Sequence, residues 1–179
     1  MNERDEQQIT RLLAEAATQR KGFELLVRGY SEQLYWMIRK IVVEHDDAND
    51  VLQNTFLKAW NGLDSFHGDS KISTWLSRIA INESLDFLRR KKQPTVSVEE
   101  VTVSRLTADE YFDGTEAEAM LQEAIATLPD VQRTVFLLRY FDEMKYSDIS
   151  QMLNTSEGAL KASYHIAVKK ITEYFKSRD

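Results

Sequence analysis

The chain has no cysteine. Disulfides, thiolate metal sites and cysteine nucleophiles are therefore excluded. Glycine and proline are scarce, 6 and 2 in 179 residues. With so few turn formers, long helices are expected in preference to a turn-rich sheet. Histidine is also rare, and His45, His67 and His165 are scattered. No phosphate-binding glycine loop and no histidine-pair metal motif accompanies them, so neither catalysis, a cofactor nor a metal is expected. No run approaches the roughly 18 apolar residues that a membrane-spanning helix needs. The charged start Met1-Asn2-Glu3-Arg4-Asp5-Glu6, with no apolar core behind it, predicts no secretory signal. The expectation is a soluble cytoplasmic protein.

What is present is a hydrophobic fraction of 42%, enough to pack one ordinary domain or two small ones. The formal net charge is −6, but its distribution matters more than its total. Residues 1–93 balance to zero, residues 94–130 carry −8, and residues 131–179 carry +2. Within the first part, Lys71, Arg78, Arg89, Arg90, Lys91 and Lys92 give residues 71–92 a local +4. An acidic whole with local basic surfaces is compatible with DNA binding, which depends on the local field.

Phe23, Leu26, Val27, Tyr30, Leu34, Ile38 and Ile41 recur near helical spacing and predict one buried stripe. Asp46-Asp47-Ala48-Asn49-Asp50 is a capping-rich start for a second helix through Leu52, Phe56, Ala59 and Leu63. A loop follows. Ile72, Trp75, Leu76 and Ile79 then open a third helix that ends in the basic cluster 89–92 before Pro94. Residues 94–115 lose helical periodicity and are expected to form an acidic linker. Helical spacing resumes at Glu116.

The most specific pattern lies near the carboxy terminus. Leu128-Pro129 opens a helix, Tyr146 to Leu153 gives a second, Asn154-Thr155-Ser156 is a three-residue turn, and Glu157 begins a long third. This is the layout of a helix-turn-helix that docks in the major groove. In the last helix Leu160, Tyr164, Ala167 and Ile171 fall on one face, and Lys161, His165 and Lys169 on another. Ser156 is placed to cap it, and Gly158 permits close approach of backbone to phosphate.

Two further constellations stand upstream. Phe66, His67, Lys71, Trp75, Asn82 and the cluster at 89–92 set aromatic rings beside cations, the combination that holds single-stranded nucleic acid. Core packing of Trp75 and dipole stabilisation by the terminal cations are the alternatives. Asp50, Gln53, Asn54 and Leu57 share a mixed polar and apolar face that suits either a protein partner or plain solvent.

These residues resemble a known family. Val51 to Trp60, Phe66-His67-Gly68, Thr74-Trp75-Leu76-Ser77-Arg78-Ile79-Ala80 with Asn82, and Asp86-Phe87-Leu88-Arg89-Arg90 closely resemble domain two of bacterial extracytoplasmic-function (ECF) sigma factors. Leu128-Pro129, Arg133-Thr134-Val135-Phe136, Tyr146-Ser147-Asp148-Ile149 and Ser156-Glu157-Gly158-Ala159-Leu160-Lys161 resemble domain four, in the same order and at similar spacing. The resemblance implies an all-α chain of two small helical domains, residues 1–93 and 116–179, joined by the acidic linker 94–115. It also implies a sigma factor that binds core RNA polymerase, through the largest-subunit clamp helices and the flap, and directs it to promoter DNA. Asp50, Gln53, Asn54, Phe56 and Leu57 would meet the polymerase. Phe66, His67, Lys71, Trp75, Arg78, Asn82, Asp86, Arg89 and Arg90 would read the melted −10 element. Arg133, Ser156, Glu157, Gly158, Lys161, His165 and Lys169 would engage the −35 duplex, with Arg133 and the lysines on phosphates. An anti-sigma partner, commonly membrane-associated, is implied in the same way.

The chain departs from many relatives in having Ser163, Ile166 and Val168 where arginines are common, and Lys145 where Ser or Thr often caps. Its −35 contacts are therefore expected to be less arginine-rich. A stand-alone helix-turn-helix regulator is the competing reading. It accounts for residues 128–170 and leaves the two upstream constellations without a use.

Overall fold

The computed structural model describes residues 3–68, 70–91 and 115–178. All regular structure among them is helical. They divide into two compact units, Met1–Leu88 and Arg89–Asp179. The expected linker lies outside the described residues except for Thr115, and so does Lys92.

The first unit comprises α1 (Glu3–Ala14), α2 (Gln19–Val42), α3 (His45–Asn61), a 3-10 turn (Leu63–Ser65) and α4 (Ile72–Lys91) as far as Leu88, the last three residues of α4 lying past the boundary. The expected stripe of α2 is present. Leu26, Tyr30, Leu34, Ile38 and Ile41 are buried, while Phe23 and Val27 are half-buried at its edge. Ile9 and Leu13 of α1, Val51 and Ala59 of α3, and Leu76, Ala80 and Ile81 of α4 contribute to the same core. Helix α1 does not stand out in the sequence, because the charged start of the chain masks a short apolar row. Gly22 lets α1 and α2 meet closely: a Cβ there would lie 2.9 Å from Leu12 Cβ and 3.0 Å from the Leu13 nitrogen. Helix α3 starts at His45, so Asp46 and Asp47 fall in its first turn and act on the dipole. The Tyr35 hydroxyl and Asn49 flank the His45 ring at 2.7 and 3.0 Å, tying α2 to α3.

The second unit comprises α5 (Glu116–Ala126), α6 (Asp130–Tyr140), α7 (Tyr146–Leu153) and α8 (Glu157–Lys176). A full capping box opens α5, with Thr115 and Glu118 satisfying each other's backbone N–H groups. Pro129 stands at the N-cap of α6. Asn154 adopts the left-handed conformation (φ 48) that ends α7, a state Asn tolerates better than most residues. Ser156 Oγ then accepts from the Ala159 N–H at 3.3 Å to begin α8. Ile125, Leu128, Val135, Leu138, Ile149, Leu160 and Ala167 form the core. Glu123 of α5 receives two hydrogen bonds from the Arg178 guanidinium, at 2.8 and 3.1 Å, which pins the chain end.

Candidate nucleic-acid and protein interfaces

Helix α3 presents Asp50, Gln53, Asn54 and Leu57 to solvent. Leu57 is 59% exposed, an unusual posture for leucine amid polar neighbours. Phe56 does not share this face. It is half-buried, with its ring edge-on to Phe23 of α2 at 6.4 Å. Trp60, three residues beyond Leu57, is partly exposed while also meeting Phe23 at 4.9 Å. It extends the apolar part of the surface and is not among the expected contact residues. Its signal in the sequence is the three-residue spacing from Leu57. Lys58, in turn, is ion-paired with the buried carboxylate of Glu83 on α4.

The second surface is built on α4 and the loop before it. At 100° per residue, Trp75, Arg78, Asn82, Asp86 and Arg89 fall within about one quarter of the helix circumference. Arg78, Asn82, Arg89 and Arg90 are exposed, and Asp86 is half-buried. His67 and Lys71 are exposed in the loop. Trp75 is neither fully buried nor fully exposed. Half-buried, it packs its ring at 5.1 Å and 42° against Phe66, so the two rings form one unit at the foot of the loop. Gly68, at the loop tip, has φ 78, a left-handed conformation that glycine adopts without a steric penalty.

On α8, Leu160, Ala167 and Ile171 are buried and Tyr164 half-buried, in line with the spacing. Lys161, His165 and Lys169 are all exposed on the outer side, with Glu157 and Gly158 exposed at the helix start. Lys161 lies 3.7 Å from Glu157 and Lys169 lies 3.9 Å from Glu173. Such exposed pairs are weak, roughly 0.2–1 kcal/mol, and a phosphate can displace them. Lys170, also exposed, reaches Gln132 at 3.0 Å and adds a cation outside the four-residue row of Lys161, His165 and Lys169. Ile166 and Val168 are exposed at 42% and 38%, two apolar side chains on the outer side of the helix.

Arg133 requires a correction. Expected on phosphates, it is buried at 7% relative exposure. Its guanidinium donates to the Ala126 and Leu128 carbonyls at 2.8 and 3.0 Å and lies 3.7 Å from Asp130. Burial pulls its pKa below the usual guanidinium value, with Asp130 opposing. Its charge closes the α5–α6 corner and is spent inside the protein.

Comparison with known proteins decides what these surfaces belong to. Residues 26–93 match the family model described as Sigma-70 region 2, and residues 118–171 match Sigma-70, region 4. The chain belongs to the sigma-70 family, in its extracytoplasmic-function group. Among curated relatives, the ECF RNA polymerase sigma factor SigW of Bacillus subtilis is 32% identical over 156 residues, covering 80% of this chain and 83% of SigW. SigM of Mycobacterium tuberculosis, also an ECF sigma factor, is 35% identical over 153 residues, covering 84% of this chain and 76% of SigM. Among solved structures, that of sigma factor RpoE in complex with anti-sigma factor NepR from Bartonella quintana has a similar fold. Its TM-score is 0.70 at 24% identity, over 87% of this chain and 98% of that one. For this sigma factor the region 2 match covers most of the first unit and runs a few residues past its boundary, the region 4 match lies within the second, and the surfaces described above lie on α3, α4 and α8 within the matched regions. Among the described residues no helix is long and apolar enough to cross a membrane.

Proposed function

We propose that this sigma factor binds core RNA polymerase through the Asp50, Gln53, Asn54 and Leu57 face of α3, with Phe56 supporting it from within. It reads the melted −10 element with the 66–71 loop and the α4 face bearing Trp75, Arg78, Asn82, Asp86, Arg89 and Arg90. It reads the −35 duplex with α8 and its Ser156 cap, where Glu157, Gly158, Lys161, His165 and Lys169 face the groove. The domains run over residues 1–93 and 116–179. The protein acts in the cytoplasm as a transcription-initiation subunit and carries out no chemistry itself.

The observation that carries this reading is the α4 face. A regulator that only grips duplex DNA needs α8 and has no use for a half-buried ring pair beside a row of cations on another unit. Paired aromatic rings with adjacent cations suit bases that have left the duplex. An anti-sigma protein, membrane-associated as is common in the group, is the proposed regulator, and the exposed α3 and α8 faces are what it has to cover. The acidic 94–115 linker, which resembles nucleic acid in charge, is proposed to occupy a basic polymerase channel later taken by RNA. Neutralising Glu99, Glu100, Asp109 and Glu110, which lie outside the described residues, then changes DNA binding by the free protein and early RNA release.

The test begins with transcript starts mapped after overproduction, which supplies a cognate promoter. Purified chain plus core polymerase is expected to make RNA from that promoter. Duplex binding with no attachment to core would establish the stand-alone regulator instead.

A further inference from the structure

We propose that the amino-terminal helix α1 is a working part of the −10-reading apparatus, with Glu6 as a positioning residue that fixes the start of α4 and thereby the posture of the 62–71 loop. This rests on the reading of α4 and that loop as the −10 surface.

The Glu6 carboxylate accepts from the Ser73 N–H at 3.1 Å and from the Ser73 hydroxyl at 3.0 Å. Ser73 is the second residue of α4, where backbone N–H groups have no partner within the helix. The first turn of α4 contains no acidic residue of its own. The negative charge that complements its dipole therefore comes from 67 residues away in the chain. Tyr30 of α2, buried at 4% exposure, faces the same pair. Its pKa is pushed up to about 12, by burial first and by the Glu6 charge second. Three helices thus converge on one carboxylate.

One and two turns further along α1, Thr10, Leu13 and Ala14 form one wall of a cleft of about 370 Å³, and Leu63, Phe66 and His67 form the facing wall. Helix α1 therefore holds the start of α4 through Glu6 and lines, with the loop, the cleft between them. At its α3 end the loop is held by the Ser65 hydroxyl on the Gly62 carbonyl at 2.6 Å and by the Phe66 N–H on the Leu63 carbonyl at 3.0 Å. At its α4 end the Glu6–Ser73 contact is the anchor. Between these ends, a side chain added at Gly68 would meet nothing within 4 Å, so the tip is open to a ligand while its base is set by two fixed points. Loosening the α4 end displaces Lys71 and the Phe66–Trp75 pair together. The exposed α3 face is untouched by Glu6, so grip on the polymerase is separable from base capture.

The experiment uses the full chain with core polymerase on the promoter obtained from mapped transcript starts. Glu6→Ala, Glu6→Gln and Ser73→Ala are compared with wild type in three measurements: hydrogen exchange at the amides of residues 63–75, the rate of promoter opening reported by 2-aminopurine in the −10 element, and core affinity by competition. Loss of a charge-assisted cap is expected to cut Ser73 amide protection, and slow opening, by about tenfold in Glu6→Ala, with core affinity unchanged. Glu6→Gln, which keeps a neutral oxygen acceptor, restores most of the rate, and Ser73→Ala falls between. Wild-type opening by Glu6→Ala overturns the proposal. So does an equal loss of opening and core affinity, which marks Glu6 as part of the fold only. If wild-type holoenzyme itself fails to open the promoter, the −10 reading falls and the proposal falls with it.

Discussion

Arg133 and Lys161 both carry a full positive charge, and the structure gives them opposite uses. Arg133 holds two backbone carbonyls in a buried corner, so Arg133→Ala takes that donor from both acceptors and removes the cation beside Asp130. We expect unit-two stability to fall by about 3 kcal/mol in urea unfolding, with no change in the salt slope of duplex binding. Lys161 has a side chain 60% exposed. Lys161→Ala should leave stability within about 0.5 kcal/mol and flatten the salt dependence of −35 binding by about one counterion unit. A slope that moves for Arg133→Ala and stays put for Lys161→Ala would reverse the assignment. Glu118 supplies a pH effect at the same scale. Hydrogen bonds from the Thr115 N–H and hydroxyl hold its pKa below the usual 4.5. A carboxylate depressed in the folded state stabilises above its unfolded pKa and loses that contribution as pH falls through the lower folded value. The amides at the start of α5 should therefore lose protection as pH drops below about 4.5 in wild type, and Thr115→Ala should remove most of that dependence.

Between elements, two glycines separate packing from function. In Gly22 the hydrogen lies against α1, and a methyl group would meet the Leu12 Cβ at 2.9 Å and Leu13 backbone at 3.0 Å. Gly→Ala gains up to about 1 kcal/mol of helix propensity, but displacing a packed helix costs about 1–3 kcal/mol. Backbone cannot swing aside as a side-chain tip can, so the clash wins. Gly22→Ala is expected to lower the first unit's thermal midpoint, which differential scanning would detect as a shift of that transition alone. At Gly158 an added methyl group would meet nothing within 4 Å. Gly158→Ala should therefore stabilise α8 by about 0.5–1 kcal/mol while weakening −35 duplex binding, if close backbone approach to phosphate is what the position serves. Stronger or unchanged binding in a gel-shift titration would remove Gly158 from the contact set. The same elements show where sequence patterns suffice. The α8 faces, the Ser156 cap and the three-residue turn are local, set by residues within one or two turns, and each is legible in the sequence. Helix α1 is not, because Ile9 and Leu13 are too few to stand out from a polar segment until α2 and Gly22 give them something to pack on.

For the whole molecule, two compact units imply separable behaviour. Fragments 1–93 and 116–179 should each show a helical circular-dichroism spectrum and a cooperative melt. The second should bind −35 duplex alone, and only the intact chain should yield promoter-specific RNA with core polymerase. Transcription from a mixture of the unlinked fragments at the full rate would show that the 94–115 segment contributes nothing beyond connection.

The amino-acid sequence alone determined the helical class, the absence of thiol chemistry, the placement of the basic and acidic stretches, and the motif order that marks an ECF sigma factor. The first three are read from composition and from periods of three to four residues, the last from the resemblance of its motifs to the family, and none needs a partner to be present. Tertiary structure alone decided that Arg133 is buried while Lys161 is not, that Phe56 turns inward beside an outward Leu57, and that Glu6 caps a helix beginning at Ile72. In each case the side chain's role depends on which distant backbone or ring lies opposite it. Burial and hydrogen-bond partnership are properties of contacts between segments far apart in the chain, and local spacing does not encode them.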